Sequence, residues 1–171
     1  MHKPAGPLKS MCVSGAVSQA DFAVSVSQAH YTGLSPVRRQ ELDAAIRRTI
    51  GLPEEEPVQH NPHYQEYIAT NIGTGQIIGY ASIVQFGSSV RFEFAGVDSE
   101  FRRMGVYTAL LRKRFEDVLT DNQIKEVVIE PTKVVAGIIT GLLKELETSG
   151  SGRVRFHIDE KEGEVYIKLR R

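Results

Sequence analysis

Two arginines and a glycine stand where a loop turns into a helix, in the stretch SEFRRMGVYTALLRKRFE from Ser99 to Glu116. Serine and acidic residues are the usual caps of a helix, so Arg102, Arg103 and Gly105 need another explanation. The first amides of a helix lack partners within the helix and carry the positive end of its dipole. A glycine lets a phosphate approach that backbone, and the arginines add charge. The stretch therefore predicts a diphosphate cradle; the alternative is an ordinary strand-to-helix connection with solvated arginines.

Glu93 is the first candidate for a residue that moves a proton. It lies between two phenylalanines in the strand-like segment before the cradle, and apolar surroundings would raise the pKa of its carboxyl group. Strand alternation predicts that its side chain lies on the same side as Ala95 and Val97. A carboxylate with a raised pKa at this position is a candidate general base. The alternative is an outward-facing glutamate that balances Arg91.

Four further residues are candidates for acid chemistry or substrate binding. Tyr166 and His157 lie on the last two predicted strands and are candidate general acids, although both suit the face of a sheet as well. His30 and Tyr31 end the first predicted strand and lead into the helical region. They are candidates for a substrate site and equally for packing.

The loop LPEEEPVQHNPH, from Leu52 to His63, contains two histidines and three consecutive glutamates. His60 and His63 stand beside a proline without a third ligand nearby, so they predict hydrogen bonds within the loop and no metal site. The glutamates would attract a cationic acceptor, although such runs are usually solvated. Cys12 lies too near the N-terminus to be predicted as a nucleophile.

The elements that position these residues follow from periodicity and caps. Every second residue from Phe22 to Val26 is large and apolar, which predicts a first strand. Ser35 and Pro36 predict the start of a helix, and Gly51 predicts its end. Three strands, a helix, a short buried strand, a second helix and a hairpin follow. This order predicts a mixed sheet with helices packed on it.

Both later helices have an apolar stripe. The first runs from about Gly105 to Thr120, with Tyr107 on the stripe. In the second, Gly137 and Gly141 are four residues apart and predict close packing of the helix on the sheet. These helices would flank the cradle and support it.

Composition limits the class of protein. The chain has 171 residues, 41% hydrophobic and 25% charged, which predicts a soluble globular protein with a loose tail at residues 1–12 and one domain at 13–171. Basic and acidic residues balance at 21 each, so we expect no nucleic-acid partner. No apolar run approaches the roughly 18 residues of a membrane span, so we expect no membrane partner. One cysteine and no secretory signal predict a cytoplasmic location.

The segments IIGYASI and VDSEFRRMGVYTALL resemble the acyl-CoA-binding region of the GCN5-related N-acetyltransferase (GNAT) family. That motif runs from an apolar strand through a polar turn to Arg/Gln-x-x-Gly-x-Gly/Ala and an apolar helix. Arg102 and Gly105 match it, and Gly79 takes the usual glycine of the preceding strand. The resemblance implies an α/β fold of the α+β type, with a mixed, mostly antiparallel twisted sheet of about 6–7 strands and helices on both faces.

The resemblance also implies acyl transfer from acetyl-CoA, or another acyl-CoA, to a primary amine by direct attack in a ternary complex. The motif strand would splay from its neighbour, so that the main chain of Gly96 and Val97 pairs with the pantetheine arm. An amide near Val97 would polarise the thioester carbonyl. The positions that would hold the pyrophosphate are Arg102, Arg103, Met104, Gly105, Val106, Tyr107 and Thr108.

Two departures from the family pattern leave alternatives open. Tyr107 replaces the final small residue of the motif, so its ring must point inward. The last helix, GLLKELETSG, has leucine where many members place a tyrosine that acts as general acid. Another residue or solvent would then donate the proton, or the chain is a non-catalytic binding or assembly module with this fold. A plain α/β domain with a coincidental arginine loop, and a homodimer, are also left open.

Overall fold

Seven strands form one mixed sheet with helices on both faces, in a computed structural model that describes residues 23–130, 133–149, 155–161 and 163–170. This confirms the predicted fold class and order of elements. The predicted tail, Cys12 and Phe22 lie outside the described residues. The elements are β1 (Val24–Ala29), α1 (Pro36–Ile50), β2 (Tyr64–Asn71), β3 (Ile77–Phe86), β4 (Ser89–Val97), α2 (Val106–Thr120), β5 (Glu126–Ile129), α3 (Lys133–Ser149), β6 (Arg155–Lys161) and β7 (Glu164–Arg170).

The strand order across the sheet is β1-β2-β3-β4-β5-β7-β6. Neighbouring strands are antiparallel except β4 and β5, which are parallel and joined through α2. Their pairing begins at Ser89 with Glu126 and ends at Phe92 with Ile129. Among the described residues, the rest of β4 has no strand partner on that side, so the predicted splay of the motif strand is confirmed.

The two faces of the sheet carry separate cores. α2 and α3 cover the larger core, and α1 covers a smaller one on the opposite face. α2 approaches β3 closely because Gly79 lacks a side chain: a Cβ there would lie 3.0 Å from Cγ1 of Val106. Within the described ranges, no helix combines the length and the apolar character that crossing a membrane requires.

The predicted caps of α1 are confirmed. The Ser35 side chain accepts a hydrogen bond from the Arg38 amide at 3.3 Å, and Pro36 is the first helical residue. Gly51 ends the helix with φ of 75°, a left-handed conformation that favours glycine. α1 therefore has fixed ends, and its last turn forms a wall of the site described below.

The two glycines of α3 do not pack against the sheet. Gly137 and Gly141 are exposed, and a Cβ built on either would meet nothing within 4 Å. The prediction of close packing through them is wrong because the buried stripe runs along the opposite side of the helix. That stripe contains Ile139, Leu142 and Leu143.

Candidate acyl-CoA site

A cleft of about 810 Å³ opens where β4 and β5 separate. Its walls are residues 95–97 of β4, the loop and first turn of α2, Thr49 at the end of α1, and Val135 and Ile138 of α3. Met104 is half-buried against the larger core. The other predicted co-substrate positions all line this cleft: Gly96, Val97, Arg102, Arg103, Gly105, Val106, Tyr107 and Thr108.

The N-terminus of α2 forms one end of the cleft. Gly105 occupies the cap position with φ of 82° and ψ of −1°, and its side-chain-free backbone supplies no capping group. Its carbonyl accepts the first bond of the helix, from the Ala109 amide at 2.9 Å. Among the described residues, none accepts a hydrogen bond from the amides of Val106, Tyr107 or Thr108. The predicted uncapped helix start is therefore confirmed.

Two arginines give the cleft its positive charge. Arg102 and Arg103 are both exposed and line the cleft. The Arg102 Nε donates a hydrogen bond to the Val97 carbonyl at 3.3 Å, which ties the loop to the end of β4. Arg103 has φ of 64°, a left-handed conformation that costs a residue with a side chain about 1–2 kcal/mol. Both arginines therefore line the same cleft as the start of α2.

The next two cations of the motif are already paired. Arg112 lies 2.7 Å from the Glu145 carboxylate of α3, and Lys113 lies 2.7 Å from Asp117 one turn on. Both line a shallow depression that shares Gly105 with the cleft. The charge available to a phosphate in the cleft therefore comes from the loop and not from the body of α2.

Tyr107 points inward, as its place in the motif requires. Its ring is half-buried and packs against the larger core. Below it, Arg114 is only 1% exposed, and its guanidinium lies 4.5 Å above the ring of Phe92. Burial lowers the pKa of Arg114 to about 10, while the charge of Tyr107 and a hydrogen bond with its hydroxyl oppose that shift. Arg114 thus holds the tyrosine on the core side of the cleft.

A bulge interrupts β4 just before the cleft. Ala95 pairs with Ala81, whereas Phe92 pairs with Ile83, so β4 has one residue more than β3 between these pairs. Glu93 and Phe94 together oppose Ser82, whose hydroxyl accepts a hydrogen bond from the Phe94 amide at 3.3 Å. Beyond the bulge, the odd- and even-numbered side chains of β4 therefore exchange faces of the sheet.

The side chain of Glu93 consequently points to the other face from the one predicted. Ala95 and Val97 pack with Phe92 in the larger core, under α2. Glu93 instead contacts Arg91 on the opposite face, with 3.3 Å between Arg91 Nε and Glu93 Oε1. The prediction that it shares a side with Ala95 and Val97 is wrong, because simple alternation cannot include an added residue.

The main chain of β4 beyond the bulge presents free groups to the cleft. The Asp98 amide donates to the Ile78 carbonyl at 2.9 Å. In an antiparallel ladder such bonds alternate, so the amides of Ala95 and Val97 point away from β3 and towards the side that β5 has left. Gly96 lets α1 approach: a Cβ there would lie 2.4 Å from the Thr49 carbonyl oxygen.

Tyr166 lies outside the cleft. Its hydroxyl donates to Glu164 at 2.7 Å, and Glu164 also hydrogen-bonds with Arg91. The bond to Glu164, followed by burial, raises the pKa of Tyr166 and makes it a weaker acid. Val128 of β5 pairs with Arg91 on one side and with Tyr166 on the other, so Tyr166 lies beside the part of β4 that precedes the bulge.

The two candidate histidines also lie away from the cleft. His157 is exposed on β6 at the edge of the sheet, opposite Lys168 of β7. His30 is exposed at the start of a single turn of 3-10 helix, Tyr31–Gly33. Neither lines the cleft or the cavity described next.

A second cavity, of about 290 Å³, lies on the α1 face and was not predicted. Phe94 belongs to its lining, whereas the next residue, Ala95, lines the cleft. The glutamate run was the only sequence signal for it, since Glu56 is part of the wall. The lining residues are Ile46, Ile50, Leu52, Glu56, Pro57, Val58, Gln59, Asn61, Tyr64, Tyr80 and Phe94.

His60 anchors the loop that forms one wall of this second cavity. Its ring nitrogens lie 2.8 Å from Asp43 Oδ1 and 2.9 Å from Glu66 Oε1. Glu66 is buried and also accepts a hydrogen bond from the Tyr80 hydroxyl at 3.0 Å. The ring of Tyr31 stacks on His60 with centroids 3.4 Å apart, so this candidate substrate residue lies in the anchor of the loop. Both bonds lead out of the loop, to α1 and β2, so the prediction of hydrogen bonds within the loop is wrong for His60.

Comparisons with known proteins identify the fold. No protein-family model and no curated protein sequence matches the chain. Among solved structures, the E. coli ribosomal-protein-S18-alanine N-acetyltransferase has a TM-score of 0.52 at 14% identity over 86% of this chain and 92% of its own. A putative N-acetyltransferase from E. coli bound to coenzyme A has a TM-score of 0.53 at 12% identity over 85% and 98%. A GNAT-family acetyltransferase from Staphylococcus aureus has a TM-score of 0.50 at 14% identity over 87% and 100%. The chain therefore has the fold of the GNAT acetyltransferases.

Proposed function

We propose that this protein is an acyl-CoA-dependent N-acyltransferase, which moves an acetyl or other acyl group to a primary amine. One observation carries the proposal: the uncapped N-terminus of α2 and the unpaired end of β4 line the same cleft. The first suits a diphosphate and the second suits an extended amide-containing chain. Coenzyme A has both parts, and a protein of similar fold was solved with it bound.

The proposed binding mode uses main-chain groups. The pyrophosphate lies against the amides of residues 105–108, with Arg102 and Arg103 beside it. The pantetheine arm runs along Gly96 and pairs with the free main-chain groups of Ala95. The thioester carbonyl then accepts a hydrogen bond from the Val97 amide, which stabilises the negative charge that develops on its oxygen during attack.

The chemistry is a single transfer between two bound molecules. The lone pair of the amine attacks the thioester carbon, the carbon–sulfur bond breaks, and the amine nitrogen loses a proton. Glu93 is the proposed base, because it lies in the bulge of β4 next to Phe94 and Ala95, which line the second cavity and the cleft. Among the described residues that line the cleft, none is a histidine, cysteine or carboxylic acid. Solvent is therefore the proposed source of the proton that converts the coenzyme A thiolate to the thiol.

The same lack of a histidine, cysteine or carboxylic acid among the described residues of the cleft lining favours a second candidate, a non-catalytic module that binds coenzyme A. A fold by itself does not confer activity. The two functions share the cleft and differ in whether thiol is released.

Substitutions at Gly105 test the cradle. A Cβ at this position meets nothing within 4 Å, but φ of 82° strains any side chain. Gly105→Gln and Gly105→Glu impose the same strain and nearly the same volume, so they differ only in charge. We expect calorimetry with coenzyme A to show at least about tenfold weaker binding for Gly105→Glu than for Gly105→Gln, about 1.4 kcal/mol. Equal affinities, or no binding by the native protein, would overturn the cradle.

A thiol-release assay separates the enzyme from the module. Acetyl-CoA is mixed with the protein and a panel of primary amines, and free coenzyme A is measured. We expect release with at least one amine, and a rate reduced about 10²–10³-fold in Glu93→Gln. Coenzyme A binding without release for any amine supports the module.

A further inference from the structure

We infer that the second cavity binds the body of the acceptor, and that the acceptor is a monoamine on an apolar body about the size of one aromatic ring or branched alkyl chain. This inference rests on the proposed function and names its substrate class. It covers small amines and the N-terminal residue of a peptide alike, because both present the same chemistry.

The position of the second cavity carries the first step. Phe94 lines it and Ala95 lines the cleft, so adjacent residues of β4 belong to the two cavities. The last turn of α1 repeats this arrangement, with Ile46 and Ile50 in the second cavity and Thr49 in the cleft. The bulge that contains Glu93 and Phe94 adjoins the end of the cleft proposed for the thioester, so we place the amine of a bound acceptor beside the bulge.

The lining of the second cavity determines which body it favours. Phe94 is 47% exposed although it is a phenylalanine, and Tyr64 approaches it edge-on with centroids 6.4 Å apart. Covering exposed apolar surface releases about 25 cal/mol per Å². A volume of about 290 Å³ lies at the lower end of small-molecule sites and suits one ring or one branched chain. The apolar and aromatic part of the lining is Ile46, Ile50, Leu52, Pro57, Val58, Tyr64, Tyr80 and Phe94.

Charge argues against acceptors with several amines. Glu56 is the one acidic residue among the described residues of the lining, and it is exposed at the rim. Gln59 and Asn61 supply the other polar groups there. A polyamine or an aminosugar carries several cations, of which Glu56 can pair with one, so the others would have to lose water against the apolar part of the lining. In a monoamine, the single ammonium group pairs with Glu56 or Glu93, and the uncharged body contacts the apolar residues of the lining.

The second cavity is also preformed. The loop that carries Val58, Gln59 and Asn61 is fixed by His60 between Asp43 and Glu66. The Tyr80 hydroxyl ends this chain of hydrogen bonds on the floor of the cavity. Because the loop is already fixed by these hydrogen bonds, little conformational entropy is lost when the acceptor binds. More of the free energy of the apolar contacts then contributes to affinity.

The test compares amines in the thiol-release assay with acetyl-CoA. 2-Phenylethylamine and isopentylamine are the matching acceptors, spermidine and kanamycin are the polycationic ones, and short peptides beginning with Phe or Gly distinguish a peptide source from a free amine. We expect kcat/KM for the matching amines to exceed that for spermidine by at least about 100-fold, a difference that a buried ring-sized body supplies. A higher value for spermidine or kanamycin overturns the substrate class and leaves the proposed function standing.

Phe94→Ala locates the effect, with Phe86→Ala as the matched control. Phe86 is 64% exposed at the far end of β3 and lines neither cavity. We expect Phe94→Ala to raise KM for 2-phenylethylamine about tenfold without changing coenzyme A affinity, and Phe86→Ala to change neither. If no amine releases thiol, the proposed function fails. Calorimetric titration of 2-phenylethylamine into the coenzyme A complexes of the native and Phe94→Ala proteins then shows whether the second cavity binds apolar monoamines. Equal KM or equal affinity in the two proteins overturns the inference.

Discussion

The cleft and the second cavity adjoin at the end of β4 but are built from different parts of the chain. The cleft presents main-chain amides of a strand that has lost its partner and of a helix that has no cap. The second cavity presents side chains from α1, the loop after it, β2, β3 and β4. Main-chain groups are the same in every sequence, so a fold can keep the first site while the second changes with each side chain. The comparison shows where substitutions should matter. The cleft should be sensitive to changes at glycines that allow close approach of the backbone. The second cavity should be sensitive to changes in the polar side chains that fix its loop and in the aromatic side chains that line it.

Gly96→Ala should have the largest effect, because it affects the wall that both regions share. The added Cβ would lie 2.4 Å from the Thr49 carbonyl oxygen, a backbone atom that cannot swing aside. We expect α1 to move away from β4, at a cost of about 2–3 kcal/mol in the free energy of unfolding and with loss of coenzyme A binding. Urea denaturation and calorimetry measure the two effects.

The control for Gly96→Ala is Gly33→Ala, where a Cβ meets nothing within 4 Å. It should change stability by less than about 0.5 kcal/mol. Native-like stability and binding in Gly96→Ala would show that α1 does not pack as tightly on β4 as the distance implies.

His60→Gln separates the two regions. It leaves Glu66, which is 4% exposed, without one of its hydrogen-bond partners, so the free energy of unfolding should fall by about 1–3 kcal/mol. The loop loses its anchor, so KM for the acceptor should rise about tenfold, while coenzyme A affinity should not change. Steady-state kinetics measures KM for the acceptor, and calorimetry measures coenzyme A affinity.

His63→Gln is the matched control for His60→Gln, since His63 belongs to the same loop and is exposed. It should leave stability, KM and coenzyme A affinity unchanged. A fall in coenzyme A affinity in His60→Gln as large as the rise in KM would mean that the two cavities are not separately built.

Two buried tyrosines provide a finer comparison. Burial raises the pKa of both Tyr80 and Tyr67 well above the ordinary range of tyrosine, so both are neutral donors or acceptors at any physiological pH. Tyr80→Phe removes the donor to Glu66 in the second cavity; Tyr67→Phe removes the hydroxyl that accepts from Gln65 under α2. Each should cost about 1 kcal/mol of stability.

Only Tyr80→Phe should also change the acceptor kinetics, with KM raised a few-fold. Thermal denaturation and amine saturation curves of the two variants test this. Equal KM changes would contradict the assignment of Tyr80 to the acceptor wall.

Gly137→Ala should have the smallest effect and the opposite sign. Gly137 lies exposed inside α3, where a Cβ meets nothing within 4 Å. Alanine restricts the unfolded chain more than glycine, so stability should rise by about 0.5–1 kcal/mol. Thermal denaturation measures the gain, and both binding affinities should be unchanged. A loss of coenzyme A affinity would show that α3 needs this flexibility to border the cleft.

The sequence predicted what short-range chemistry specifies. The order of elements, the caps of α1 and the uncapped start of α2 follow from residues within a few positions of one another. The cleft was expected from the resemblance to the GNAT family, which implies that the motif strand splays beside the cradle, and its main parts are two consecutive segments of chain. The letters of the stretch do not show which of its cations can reach a ligand: Arg114 is buried beside Tyr107 and cannot.

Features that depend on distant partners were not predictable. The bulge arises from the register of β4 against β3, and nothing in the alternation of β4 indicates that Glu93 and Phe94 share one partner. The anchor of His60 joins residues from α1 and β2 that no spacing rule connects to the loop. The second cavity depends on both, so only its acidic rim at Glu56 left a trace in the sequence.

The bulge constrains the length of β4 more tightly than its composition. If one residue were deleted at Glu93 or Phe94, every element would keep its sequence, but the rest of the strand would turn over. The side chains of Ala95 and Val97 would then face α1, and Gly96 would offer its empty side to α2. The carbonyl of Thr49 would meet a methyl or isopropyl group in place of a hydrogen atom. Insertions and deletions should therefore be excluded from this short segment.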